Sequence, residues 1–333
     1  MKKFITSTLL AVMALVSFGQ NHLNPVAPPF LQAGDTIAIV SLGSTPKDGI
    51  AEGAAKVLQQ WGFNTIIGKN VTAKHAMYAG TVEERLSDLL TALRNPKVKA
   101  ILSTRGGYGS SLLLSELPLD TLRKYPKWII GYSDITSMHS AQVCAGNMSL
   151  HANMGGALNE KGANDPVNIM LRDVLMGKYP DYTVPAHPLN HYGQADGILL
   201  GGNMSVFSLL SGSKYDFLMP HRWLRKPVIL FFEDVSESMP RVMSMLYLLK
   251  LKGVINRVKG IVVGRFTDYE KPAYGYKDMP ELLDEYLQGY DIPICYDFAT
   301  GHDESWNYPL IEGCPVTLNV DASGTRLTFH PAE

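Results

Sequence analysis

The segment Trp128-Ile129-Ile130-Gly131-Tyr132-Ser133-Asp134-Ile135-Thr136-Ser137-Met138-His139-Ser140 governs how the rest of the chain is read. Its apolar start, Trp128 to Ile130, reads as the end of a buried strand. Gly131 permits a sharp turn, and Asp134 onward reads as a helix that Ser133 or Asp134 can cap. A serine between strand and helix is where a hydrolase places a nucleophile. The turn pushes the hydroxyl out of the sheet, and the first free N–H groups of the helix face the oxygen that becomes negative. The N–H of Asp134 is the natural first oxyanion donor. A plain helix cap has the same local sequence, however, and the segment departs from the G-x-S-x-G elbow because Ile135 replaces the second glycine.

The surrounding units favour the first reading. Gly34 to Ser41, Phe63 to Ile67 and Val98 to Ser103 read as strands, alternating with helical patterns at Ile50 to Trp61 and Thr81 to Leu93. That alternation predicts a doubly wound parallel sheet, with ligands gathered at the carboxyl ends of its strands. Arg105-Gly106-Gly107-Tyr108-Gly109 and Ser133 both belong at that edge. No Gly-Lys-Ser/Thr follows the glycines, so a second oxyanion donor or carboxylate cradle fits better than a phosphate loop.

After His151 the pattern changes. The reading places a nucleophile domain over 29–176, a Pro- and Gly-containing linker over 177–194, and a smaller β-rich α/β domain over 195–333. In the second domain the strand Pro227 to Phe232 ends in Glu233-Asp234, and Ile292 to Tyr296 leads to Gly301-His302-Asp303. Thr317 to Val320 and Arg326 to Phe329 form a hairpin. A serine nucleophile needs an imidazole to take its proton and a carboxylate to orient the imidazole. Ser133, Glu233 and His302 can supply that set, with Asp234 and Asp303 as neighbouring alternatives; a structural partner for Glu233, such as an arginine or a helix N-terminus, and a plain surface position for His302 fit the same sequence.

The chain has 333 residues, 46% hydrophobic and 18% charged, with a net charge of −1. This balance, without a Lys/Arg stripe, argues against nucleic acid or an anionic membrane as the main partner. Lys2 and Lys3 precede an apolar run from Phe4 to Phe18, the pattern of a secretory signal peptide over 1–19 with cleavage near Gly19/Gln20. The expected location is therefore periplasmic or secreted, without stable membrane insertion after cleavage. Three cysteines exclude a fully paired framework, although Cys295 and Cys314 could bridge. His187 and His191, separated by Pro188 in a loop, do not read as a metal pair.

Gly34-Asp35, the RGGYG of Arg105–Gly109, the GYSD of Gly131–Asp134, Gly201-Gly202-Asn203, Glu233-Asp234 and Gly301-His302 occur in the order seen in the LD-carboxypeptidase family of serine peptidases. The resemblance covers roughly Pro29 to Val320. It implies a flavodoxin-like amino-terminal domain, a β-rich carboxy-terminal domain, a cleft between them and commonly a homodimer. Ser133 would be the nucleophile, Glu233 the triad acid, His302 the base, and the N–H groups of Asp134 and Gly107 the oxyanion hole. Arg105, Gly106, Tyr108 and Asn203 would contact substrate. The family removes terminal D-alanine from murein tetrapeptides without metal or cofactor. Ser111-Leu112-Leu113 and His151-Ala152-Asn153 depart from common family patterns near the cleft, so peptide preference is less determined than the chemistry. The competing expectations are the family branch that cleaves peptide–nucleotide antibiotics, and a periplasmic peptide- or sugar-binding protein. The latter would give no reason for the serine, carboxylate and histidine.

Overall fold

In the computed structural model the described residues are 24–332, apart from 220, 221, 223–225 and 304. The signal-peptide segment 1–19 lies outside them. Among the described residues no helix is long and apolar enough to cross a membrane.

The first sheet is built from β1 (Thr36–Val40), β2 (Asn64–Ile67), β3 (Val98–Ser103), β4 (Trp128–Gly131) and β5 (Ser149–His151), in the parallel order β2-β1-β3-β4-β5. This is the flavodoxin-like order. β1 and β4 are buried at every position, which explains their continuous apolar runs in place of an alternating pattern. Helices α1 (Ile50–Gln60), α2 (Val82–Arg94), α3 (Leu119–Lys124), α4 (Thr136–Ala145), α5 (Gly155–Lys161) and α6 (Pro166–Leu175) accompany these strands. α2 starts with a reciprocal capping box: Thr81 accepts from the Glu84 N–H while Glu84 accepts from the Thr81 N–H. α4, which follows the serine, is buried at all ten positions. It touches both halves of the chain, so it shows no polar face.

The stretch read as linker carries β6 (Asp181–Pro185), where Tyr182 and Val184 point inward in strict alternation. β6 joins the second sheet, which also contains β7 (Gly193–Asn203), β8 (Val228–Val235), β9 (Gly260–Thr267) and β10 (Ile294–Gly301). α7 (Met204–Leu209), α8 (Met239–Leu251) and α9 (Met279–Leu287) pack beside them. A further short strand, β11 (Leu310–Glu312), precedes the closing hairpin of β12 (Pro315–Asp321) and β13 (Gly324–Phe329). The second sheet runs β10-β9-β8-β7-β12-β13-β6, parallel from β7 to β10 and antiparallel beyond.

β11 does not join that sheet. It pairs antiparallel with β5, Leu310 opposite His151 and Glu312 opposite Ser149, so the carboxy-terminal half supplies an edge strand to the first sheet. The halves also share one apolar cluster, in which Trp128 and Ile130 of β4 join Phe231, Phe298 and Leu310. Cys144, Cys295 and Cys314 are all buried and free, so the Cys295–Cys314 bridge does not form.

Candidate active site

Ser133 follows β4 with φ 63°, in the left-handed region that a non-glycine residue enters only under strain. The close approach that this turn demands falls on Gly131: a Cβ there would lie 2.8 Å from Ile135 Cγ1. The sequence therefore tolerates Ile135 where an ordinary elbow has glycine. A Cβ on Gly106 would lie 3.0 Å from Ser133 Cβ, 3.2 Å from its Oγ and 3.3 Å from the Asp134 nitrogen. The glycine loop thus closes over both the hydroxyl and the first helical N–H.

That loop is braced from the segment after β1. The Ser44 N–H donates to Gly106 O at 2.9 Å, and Ser44 Oγ accepts from the Tyr108 N–H at 3.1 Å, fixing the peptides on either side of Gly107. Gly107 has φ 87°, and a Cβ there would collide with Ser44 Oγ at 2.3 Å. Beneath the loop, buried Arg85 donates to Leu42 O and Gly109 O, both at 2.8 Å. The Asp134 carboxylate accepts the Ser110 N–H at 2.9 Å. Burial pushes Asp134 up to about 6, against the pull of Ser110 and Arg85. Sequence reasoning missed Arg85, although an arginine one turn before Leu89 on the apolar face of α2 is the available signal.

From the second sheet, Glu233 on β8 is completely buried. It lies where the β8–β9 register slips between Phe232 and Asp234. Gly264 and Gly301 make room for it, since a Cβ on either would come within 3.0 Å of Glu233 Cβ. Glu233 Oε2 meets His302 Nδ1 at 2.6 Å. The carboxylate can only accept there, so Nδ1 carries the hydrogen and the neutral ring presents Nε2 as a base. Burial alone would lower the His302 pKa, but the Glu233 charge and hydrogen bond outweigh it and raise the value. The His302 ring packs edge-on against Tyr132 with centroids 5.0 Å apart, which brings the dyad to the residue preceding Ser133.

The neighbouring acids turn elsewhere. Asp234 accepts from Asn203 Nδ2 at 3.0 Å and the Ser205 N–H at 2.8 Å, while Asp303 pairs with Arg265. Asn203 itself is 2% exposed and caps α7 by accepting the Val206 N–H. Its backbone N–H donates to Thr136 Oγ1 at 3.0 Å, tying β7 to the helix that follows Ser133. Tyr108 is 70% exposed beside the glycine loop. Arg105 lines a cleft of about 370 Å³ with Tyr132, Asn153, Glu160, Lys161 and Asp303. This cleft brings side chains of both charge signs next to the elbow. Behind the elbow, His139, His151 and Glu312 form a buried group whose ligand atoms all lie within 4.8 Å of one another.

Comparison with known proteins matches residues 37–152 to the LD-carboxypeptidase N-terminal domain and 196–318 to the LD-carboxypeptidase C-terminal domain. The Synechocystis protein slr1534 is 32% identical, covering 92% of this chain and 97% of its own length. The microcin C7 self-immunity protein MccF of Escherichia coli is 29% identical, covering 93% of this chain and 97% of its own. The crystal structure of muramoyltetrapeptide carboxypeptidase from Oxalobacter formigenes superposes with TM-score 0.79 and 25% identity, covering 89% of this chain and 99% of that one.

Proposed function

Because the chain belongs to the LD-carboxypeptidase family, we propose that it is an exported serine carboxypeptidase that releases terminal D-alanine from murein tetrapeptides. The observation that carries this reading is the 2.6 Å contact between His302 Nδ1 and Glu233, held against Tyr132 at the Ser133 elbow. The muramoyltetrapeptide carboxypeptidase similarity supports the substrate class.

Ser133 Oγ attacks the carbonyl of the bond to D-alanine while His302 Nε2 takes its proton, and Glu233 holds the imidazole and balances its charge. The N–H groups of Asp134 and Gly107 receive the oxyanion. The imidazolium then returns the proton to the departing D-alanine amine. Water, deprotonated by His302, releases the shortened peptide from Ser133. Arg105, which lines the cleft, receives a carboxylate of the peptide in this reading.

Incubating the purified protein with murein tetrapeptide and reading the products by mass tests this. Loss of one alanine is expected, and its absence with Ser133→Ala. The 29% identity to the self-immunity protein MccF, of which a solved structure is a complex with aspartyl sulfamoyl adenosine, supports a second substrate, an aminoacyl sulfamoyl nucleotide. Cleavage of that compound, with the tetrapeptide left intact, would replace the first reading by the second.

A further inference from the structure

Glu312 at the end of β11 and His151 at the end of β5 are both 0% exposed. Neither Glu312 oxygen and neither His151 ring nitrogen has a partner at hydrogen-bond geometry. The Gly201 N–H faces the carboxylate, yet burial dominates and drives Glu312 well above the usual carboxylate range. Burial likewise drives His151 well below the usual histidine value. Enclosing two such groups without partners costs several kcal/mol. The mechanism above uses neither of them.

His139 completes the group. Its Nε2 faces Gly131 O at 2.9 Å, and since a carbonyl only accepts, that nitrogen bears the hydrogen. A backbone carbonyl in this position is what fixes the tautomer of metal-bound histidines. The lone pair therefore sits on Nδ1, which now takes the Ser149 hydroxyl at 2.6 Å. Ser149 has another acceptor in Ile129 O at 3.2 Å, so it can turn away and release Nδ1.

We infer that His139, His151 and Glu312 form a divalent transition-metal site that braces the two halves of the protein behind the nucleophile. Two imidazoles and a carboxylate suit zinc, at about 2.0–2.2 Å per bond, with the second Glu312 oxygen or a water completing the shell. The ligand atoms, now within 4.8 Å of one another, need only draw together to roughly 3.5 Å. Two ligands come from the nucleophile half and one from the strand that follows His302, so the ion cross-links the halves. It touches no reacting atom and is independent of the proposed hydrolysis.

The test uses untagged protein produced with zinc in the medium and purified without chelator. Elemental analysis is expected to find one ion per chain. Exchange for Co²⁺ should give a visible d–d spectrum, and chelation should lower the melting temperature until zinc is restored. Glu312→Gln and His151→Gln should abolish both the bound ion and the Co²⁺ spectrum. Because the spectrum and the chelation response are read on the wild-type chain, poor folding of a variant does not obscure the answer. Wild-type protein that holds no ion, gives no Co²⁺ spectrum and shows no zinc-dependent melting overturns the inference. Metal binding that survives both substitutions overturns it equally.

Discussion

Gly106→Ala is the most discriminating change the structure offers. The new methyl carbon would sit 3.0 Å from Ser133 Cβ, 3.2 Å from Ser133 Oγ and 3.3 Å from the Asp134 nitrogen. It therefore crowds the hydroxyl and covers the N–H expected to receive the oxyanion. Gly106 does not have the left-handed φ of its neighbour Gly107, so alanine fits the backbone and the fold should survive. Losing one oxyanion donor costs about 10²–10³ in kcat, which is about 3–4 kcal/mol at roughly 1.4 kcal/mol per decade. Steady-state hydrolysis of murein tetrapeptide should thus show kcat reduced about 10²–10³-fold, with KM changed far less because the ground-state contacts persist. The melting temperature should stay within about 3 °C of wild type. Gly107→Ala is the contrast: its methyl meets Ser44 Oγ at 2.3 Å on a backbone with φ 87°, so activity and stability should fall together. A Gly106→Ala protein that turns over at the wild-type rate, and is labelled as fast by a serine-directed phosphonate, would refute the oxyanion geometry.

The strain at Ser133 should appear in stability: Ser133→Gly relieves about 1 kcal/mol or more and melts at or above wild type, whereas Ser133→Val melts below it, and both are inactive. A melting series in the reverse order would remove the strain argument. Because Glu233 raises the His302 pKa, kcat/KM should climb with pH through a midpoint above the ordinary histidine value of about 6.5. Glu233→Gln should move that midpoint down, since the anion that holds the proton is gone; an unmoved or raised midpoint in the pH–rate profile counts against the dyad. By linkage, the raised His302 pKa stabilises the fold below that ordinary value and loses this contribution as pH rises through the folded value. Arg85→Ala leaves Leu42 O unpartnered and removes one of the two donors to Gly109 O, which keeps the Leu112 N–H, and should cost about 2 kcal/mol in urea unfolding, with kcat falling as the glycine loop loosens.

Much of the first sheet was legible because its strands are short, apolar and separated by helical periodicity. Val98–Ser103 was bounded to the residue, and Trp128 to Ile130 missed only Gly131. The strand β11 was not legible: three residues ending in a glutamate carry no periodic signal, and their partner β5 lies some 160 positions away. β6 was hidden by flanking prolines, although the alternation of Tyr182 and Val184 was available. α9 carries an Asp278 cap with Pro280 in the first turn, a start signal passed over in a polar stretch. At the site, Glu233 announced itself as a carboxylate ending an apolar strand, and Ser133 as a serine after a glycine turn. Asn203 was expected at the substrate, but its amide is committed to Asp234 and to the start of α7. Sequence alone does not separate a polar residue that meets ligand from one that closes a backbone end.

The antiparallel pairing of β11 with β5 also orders events during synthesis. The ribosome releases Ser133 first, then Glu233, then His302, and only afterwards residues 310–312 that finish the sheet bearing the serine. The scaffold under the hydroxyl is therefore incomplete until every residue expected to activate it has already emerged. A nascent or truncated chain ending before residue 310 would expose the unpaired edge of β5. Synthesis of residues 310–312 closes that edge and finishes the support for the elbow in one step.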